Sequence, residues 1–328
     1  MRRRQGPAFV LTGHPDITNP ARLIEELGSQ ERKAVFNLQT EVLRNMTKRL
    51  VETGFSWILP VMLAKSTDPL WPDPGASVEK RIELEIYGQT VRTMQSMIIH
   101  KMTLTSLGPE RIFILSPNIR IESRERMKSG HHLYEFTQLD IEIAKGKVED
   151  VLEIFEDLLR RSIVAVKENM RDELRVLERD VSVPKTPFEV YRKKELEEKY
   201  GRDWAESASE KTTNPIWITD IPREFYDFED EDSKSWRNFD LILPEGYGEA
   251  VSGSEREYEY SKIVSKLERD GIRKEDYDFM LGLAKDGRLK PSAGAGLGIE
   301  RFVAYVCGVK HVAEVQPFPR IPGIVPAL

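Results

Sequence analysis

Cysteine is nearly absent: Cys307 is the only one in 328 residues. A single thiol cannot close an internal disulfide, which excludes a cross-linked secreted scaffold and a cysteine-built zinc site. Histidine is scarce as well, at five, and no Ser-His-Asp order can be argued from so few. No stretch stays apolar for the roughly 20 residues of a membrane-spanning helix. Met1-Arg2-Arg3-Arg4 is not followed by the apolar core of a signal peptide, so a reducing, cytoplasmic setting without membrane contact is expected. The phosphate-binding pattern G-x-x-x-x-G-K-[ST] is missing, and so is a G-x-G-x-x-G opening a βαβ unit. Internal repeats and low-complexity blocks are absent too.

What is present is charge. Charged residues make up 32% of the chain and hydrophobic residues 40%, with a net charge of −6 and a pI of about 5.7. That much apolar sequence can build one large domain. The acidic balance argues against a dominant nucleic-acid surface.

Periodicity organises the chain. After an arm over residues 1–28, Ser29 can cap a helix over Glu31–Val51, where Val35, Leu38, Val42, Met46 and Leu50 recur at helical spacing. Gly54 ends it, and Phe55 to Pro60 reads as a strand closing on proline. Ser66 to Ser77, with Pro69, Pro72, Pro74 and Gly75, reads as a loop over a site. A strand is expected near Arg81–Tyr87 and a helix over Thr93–Leu107. Lys147–Arg179 reads as long helical scaffold, and Phe188–Tyr200 and Trp204–Lys211 as short helices of an insertion at about 184–215. Glu229 to Asp232 suits an exposed acidic turn. Trp236–Leu243 and Tyr247–Ser252 read as strands paired around Pro244-Glu-Gly246, and Glu257–Asp270 as a helix.

Two stretches carry the chemistry. Ser116 to Ala144 reads as strand, charged loop, strand. Arg120 and Glu122 sit two apart and project from one face of a strand, and Gln138, Asp140 and Glu142 alternate with Leu139, Ile141 and Ile143. An arginine, a basic loop and inward acids suit a nucleoside triphosphate held beside an amino group. The second stretch, Pro291 to Val303, reads as a glycine-rich turn (Gly294, Gly296, Gly298) before a helix that starts near Leu297 and carries Arg301. Glycines let a backbone approach a ligand, and a helix start favours anions. Between them, Asp240, Glu249 and Ser252 are oxygen donors of the kind that suits magnesium.

Taken in order, the long helix with its proline-ended strand, Arg120-x-Glu122 with the HLYEF run, GEAVSGSERE (Gly248–Glu257) and GLGIER resemble the motifs of class II aminoacyl-tRNA synthetases. The nearest subgroup is the aspartyl- and asparaginyl-tRNA synthetases, and the likeness spans roughly Phe36 to Arg320. It implies a single α+β catalytic domain over 1–328, an antiparallel β-sheet flanked by helices, and a homodimer through Glu31–Pro60. It also implies site roles. Arg120 would meet the α-phosphate of ATP and Arg301 the γ-phosphate. Glu122 and Phe136 would position the adenine, with His131, His132, Leu133, Gly296 and Gly298 around the nucleotide. Asp240, Glu249 and Ser252 would hold Mg2+. Gln95, Gln138 and Arg256 would hold the amino acid, and Asp140 or Glu142 its ammonium group. The Phe318-Pro-Arg320 tripeptide would line the nucleotide pocket.

The chain departs from the family pattern. His131-His132 stands where arginine then histidine is usual, which would make a permanent phosphate contact conditional on pH. The family lysine after Gln95 would fall at Ile98; Lys101, three residues on, is either its substitute or a solvated helix lysine. Only about thirty residues precede Glu31, so an anticodon-binding domain is not expected. A core of this kind resembles the archaeal asparagine synthetases related to asparaginyl-tRNA synthetase. The expected reaction joins aspartate and ammonia at the expense of ATP, which leaves AMP and diphosphate, with tRNA not expected as a partner. The alternatives are an adenylate-forming enzyme that loads an aminoacyl group onto a non-tRNA acceptor, or an asparaginyl-tRNA synthetase paralogue, and, of another class, an inactive ATP- or amino-acid-sensing module.

Overall fold

The structure is a computed structural model that describes residues 19–70 and 78–328. The expected arm lies largely outside these residues. Its last part, Pro20–Leu27, is a helix capped by the Asn19 side chain and started by proline. Most of the proline-rich loop also lies outside, at 71–77.

An eight-stranded sheet dominates. In chain order its strands are β1 (Ser56–Trp57), β2 (Arg111–Ile119), β3 (Glu135–Ala144), β4 (Glu189–Arg192), β5 (Ile216–Thr219), β6 (Asn238–Leu243), β7 (Gly248–Glu255) and β8 (Ser292–Gly298). Across the sheet they run β1-β2-β3-β8-β7-β6-β5-β4. The six central strands pair antiparallel, and the two outermost pairings are parallel. β4 corrects the expected all-helical insertion. Its Glu-Val-Tyr-Arg run pairs residue by residue with Ile216–Thr219, and only then do helices Lys193–Tyr200 and Trp204–Lys211 follow.

Alternation along the strands divides the sheet into two faces. Leu139, Ile141, Ile143, Ala293, Ala295 and Leu297 enter the main core with the apolar stripes of helices Gln30–Glu52, Val148–Asn169 and Ile299–Cys307. Leu38, Val42 and Met46 of the first helix are fully buried there, each contributing about 1.5–3 kcal/mol by removal from water. Ser29 caps that helix by accepting from the Arg32 amide. A second, smaller core lies elsewhere and joins helix Ile98–Leu107 to helices Tyr260–Arg269 and Asp278–Lys285 through Met102, Phe225, Tyr226, Ile263 and Met280.

Two boundaries differ from expectation for a physical reason. The helix expected from Thr93 starts at Ile98, because Met94 and Gln95 donate outward to Met62 O and Thr67 Oγ1 instead of winding. The glycines of Ser292–Gly298 do not form a turn. They form a central strand bonded on both sides, and the helix begins only at Ile299.

Candidate active site

The strand of glycines is the floor of the site. Gly294, Gly296 and Gly298 lie opposite Glu142, Asp140 and Gln138 of β3. A Cβ on Gly294 would fall 2.1 Å from Glu142 Oε2, and one on Gly296 would fall 2.9 Å from both Asp140 Oδ1 and Gln138 Nε2. β8 is bare so that the long polar side chains of β3 can lie across it.

Two cavities open above this floor, of about 270 Å³ and about 400 Å³. They share Leu70, Arg120, Gln138, Glu249, Ser252 and Gly296. The larger has apolar walls from Val78, Leu133, Phe136, Ala250 and Val312, and polar ones from Glu122, Arg126, His131, His132 and Arg301. Arg120, Glu122, His131, His132, Leu133, Phe136, Gly296, Gly298 and Arg301, all expected around the nucleotide, line it. Arg301 is fixed by donating to the Glu249 and His131 carbonyl oxygens. Arg120 donates to Gln95 O at 3.0 Å, and its guanidinium lies 5.2 Å over the Phe136 ring.

The two histidines are not conditional cations near neutrality. Burial, then Arg301, pushes His131 down to about 4 and His132 to about 3. His132 is held on both nitrogens, by Arg126 and by Ser129 Oγ, each at 2.6 Å. The charged loop that carries Arg126 is a 3-10 turn, Arg124–Ser129. Glu122 is pushed up by burial against the pull of Arg126, Arg120 and Arg301.

The smaller cavity is almost wholly polar. Lys101 is buried and meets Asp140 Oδ1 at 2.5 Å, so it is not a solvated helix lysine. Arg256 is also buried, and its fork is engaged. Nε and NH2 each donate to a Glu142 oxygen at 3.1 Å, and NH1 donates to Ser254 Oγ at 2.7 Å. Ser292 Oγ donates to Glu142 Oε1 at 2.8 Å. Glu142 is fully buried and does not line the cavity, which corrects its expected contact with an ammonium group: Arg256 and Ser292 occupy it. Asp140 lines the cavity, and its Oδ2 carries no hydrogen bond. Gln95 is buried with Oε1 unpartnered, but its neighbour Ser96 lines the cavity instead.

The expected metal trio needs a similar correction. Arg223 donates to Asp240 Oδ2 and, at 2.5 Å, to Ser252 Oγ. A cationic side chain thus already sits between two of the three donors. Burial lifts Asp240 to about 7 against the pull of Arg223. Among the described residues no group of three or more histidine, cysteine or acidic side chains is placed to hold an ion alone. The donors Glu249, Ser252 and Asp240 Oδ1, the last unpartnered, suit an ion that keeps water and phosphate oxygens as its other ligands, as Mg2+ does. Phe318 and Arg320 line a separate cavity with Leu43, Leu115 and Gln316, so the expected nucleotide contact of that tripeptide is not formed.

Arg223, Glu224, Tyr226 and Asp227 line the smaller cavity, as does Asp68, and none was singled out from sequence. Their signal is the run Pro-Arg-Glu-Phe-Tyr-Asp, in which charges are interleaved with aromatics.

The sheet, its floor and its confluent cavities define the catalytic core of a class II synthetase. Residues 17–322 match the family of class II tRNA synthetases (D, K and N), and the chain belongs to it. An asparagine–tRNA ligase of Koribacter versatilis (strain Ellin345) is 28% identical over 324 residues, covering 89% of this chain and 69% of that one. Among solved structures, asparaginyl-tRNA synthetase from Pyrococcus horikoshii complexed with asparaginyl-adenylate superposes with a TM-score of 0.81 at 24% identity, over 95% of this chain and 75% of that chain. The asparaginyl-tRNA synthetase of Entamoeba histolytica with the same adenylate gives 0.80 at 21%, over 95% and 72%.

Proposed function

We propose that the protein is an ATP-dependent aspartate–ammonia ligase that makes asparagine, AMP and diphosphate through a β-aspartyl-adenylate. The observation that supports this reading is the placement of cations at both ends of the smaller cavity. Arg120 lines both cavities and stands at their junction, and Lys101 and Arg256, which line the smaller one alone, mark its far end, each also paired with a carboxylate of the protein. A substrate with a carboxylate at each end would meet Arg120 at one end and share Lys101 and Arg256 with Asp140 and Glu142 at the other, and aspartate is such a substrate. With its α-carboxylate at the far end, the β-carboxylate meets the α-phosphorus at the junction.

Activation is then attack of a β-carboxylate oxygen on the α-phosphorus, with diphosphate leaving. The chain's part is alignment and charge stabilisation. Arg120 would hold the α-phosphate, Arg301 the γ-phosphate, and Glu122 the adenine edge. Glu249 and Ser252, with Asp240 behind them, would hold Mg2+, which neutralises phosphate charge when bound. Ammonia attacks the acyl carbon and AMP leaves. A homodimer would form along the first long helix and β1.

A second reading, transfer of an aminoacyl group to tRNA, is favoured by the activities named for the relatives. Hydroxylamine trapping separates the two. With aspartate and ATP the expected product is β-aspartyl hydroxamate, and ammonium should yield free asparagine and AMP. An α-hydroxamate, or AMP formation that needs tRNA, would refute the ligase. No aspartate-dependent turnover of ATP in folded protein would leave the sensing module.

A further inference from the structure

The smaller cavity must seat two ammonium groups if aspartate and ammonium both enter it, and it holds two anionic positions for them. The first is Asp140 Oδ2, on a residue only 1% exposed, with no hydrogen bond and with its sister oxygen neutralised by Lys101. The second is the wall formed by Asp68 and Glu224. Asp68 is buried; its Oδ1 accepts from the Leu70 amide at 2.8 Å and its Oδ2 from the Tyr226 hydroxyl at 3.0 Å. Among the described residues neither Asp68 nor Glu224 forms an ion pair. Arg223, next to Glu224 in the chain, turns instead to Asp240 and Ser252. Of the other acids lining the cavity, Asp227 is already engaged by Ser254, Asn238 and Arg256, and Glu249 lies at the junction with the nucleotide cavity.

Resting on the reading above, we propose that Asp68 and Glu224 form the subsite for the ammonium ion, and that the Glu224 carboxylate takes its proton to release the nucleophile. Ammonium has no free electron pair. Transfer of one proton to Glu224 gives ammonia, whose pair forms the C–N bond to the acyl carbon. The bond from that carbon to the bridging oxygen then breaks, and its electrons leave with AMP. The second proton, lost from nitrogen on collapse of the tetrahedral intermediate, passes to water. Glu224 is suited to act as this base. Burial, then the Asp68 and Asp227 carboxylates, push it above the ordinary carboxylate range, which strengthens it as a base. Asp68 lines the same wall, and the Tyr226 hydroxyl, which donates to its Oδ2, fixes its direction.

The test compares two nucleophiles in the full-length protein. Glu224→Gln should lower the ratio of ammonium-dependent asparagine formation to aspartate-dependent ATP–diphosphate exchange by on the order of 100-fold. Hydroxylamine is uncharged at neutral pH and carries its own free pair. Hydroxamate formation relative to exchange should therefore stay as in the wild type. Glu224→Asp, which keeps the charge at shorter reach, should restore part of the amidation; it also serves if the glutamine variant does not fold, since exchange reports folding. Equal losses with both nucleophiles overturn the proposal, as does a rise in KM for aspartate with an unchanged ammonium dependence, which would make this wall the seat of the substrate's own ammonium. If the wild type exchanges but makes no asparagine from ammonium, the ligase reading itself fails, and that is seen before any variant is made.

Discussion

Replacing Arg256 by lysine keeps the charge and removes the fork. Lysine reaches one Glu142 oxygen at most, so one of the two bonds at 3.1 Å is lost, together with the 2.7 Å bond to Ser254. Hydrogen bonds to charged groups contribute roughly 1.5–3 kcal/mol each, which puts the loss at about 3–6 kcal/mol. Solvent cannot make this good, because Glu142 is fully buried. At about 1.5 °C per kcal/mol for a chain of this length, the melting temperature should fall by about 4–9 °C. Thermal unfolding followed by circular dichroism measures it, and aspartate-dependent ATP–diphosphate exchange follows the site. In a double-mutant cycle with Glu142→Gln, the coupling energy should exceed about 1.5 kcal/mol if the arginine serves first to brace that carboxylate. Unchanged melting combined with a large rise in KM for aspartate would refute this and return Arg256 to the role of a free substrate clamp.

Two further expectations follow from the same structure. His131 and His132, near 6.5 when unfolded, are pushed down to about 4 and about 3 in the fold. The unfolded chain therefore binds more protons below pH 6.5, and their contribution to stability, full above that value, declines as the pH falls toward 4. By pH 5 each should cost about 2 kcal/mol, and His132→Gln should show a pH slope of stability shallower by that amount; an unchanged slope contradicts the assignment. Along β1 and after it, Trp57 is 52% exposed and Leu59 83%, with Val61 and Met62 also open. Light scattering across a dilution series should give twice 37.8 kDa, and a fully active monomer would exclude the dimer.

How much of this was legible in the sequence depended on the range of the interactions. The helix over Gln30–Glu52 carries its period and its Ser29 cap locally, and it lies where the pattern puts it. The β6–β7 hairpin around Pro244 was equally local. The residues expected around the nucleotide in the short motifs gather in one cavity. Lys101 was ambiguous because its partner Asp140 is thirty-nine residues away. Arg223 and Glu224 lie in a run of charges beside aromatics, but that run does not show their partners, since Asp240, Ser252 and Asp68 come from distant strands and loops. Glu189–Arg192 is a strand only because Ile216–Thr219 offers it an edge.

The bare floor has a chemical consequence. An acyl-adenylate reacts with whatever amine, thiol or hydroxyl it touches, and an enzyme that makes one risks acylating itself. On β8 the site-facing positions Gly294, Gly296 and Gly298 have no side chains, and the strand's backbone is paired on both sides. The lysine nearest the floor is locked to Asp140, and the one cysteine is buried in the helix behind the sheet. An acyl-adenylate formed as proposed would find no nucleophilic side chain at the three glycines of this strand. A nucleophile gains access only from the walls, so the partitioning of the activated acyl group between product, water and the protein itself is decided by what those walls admit.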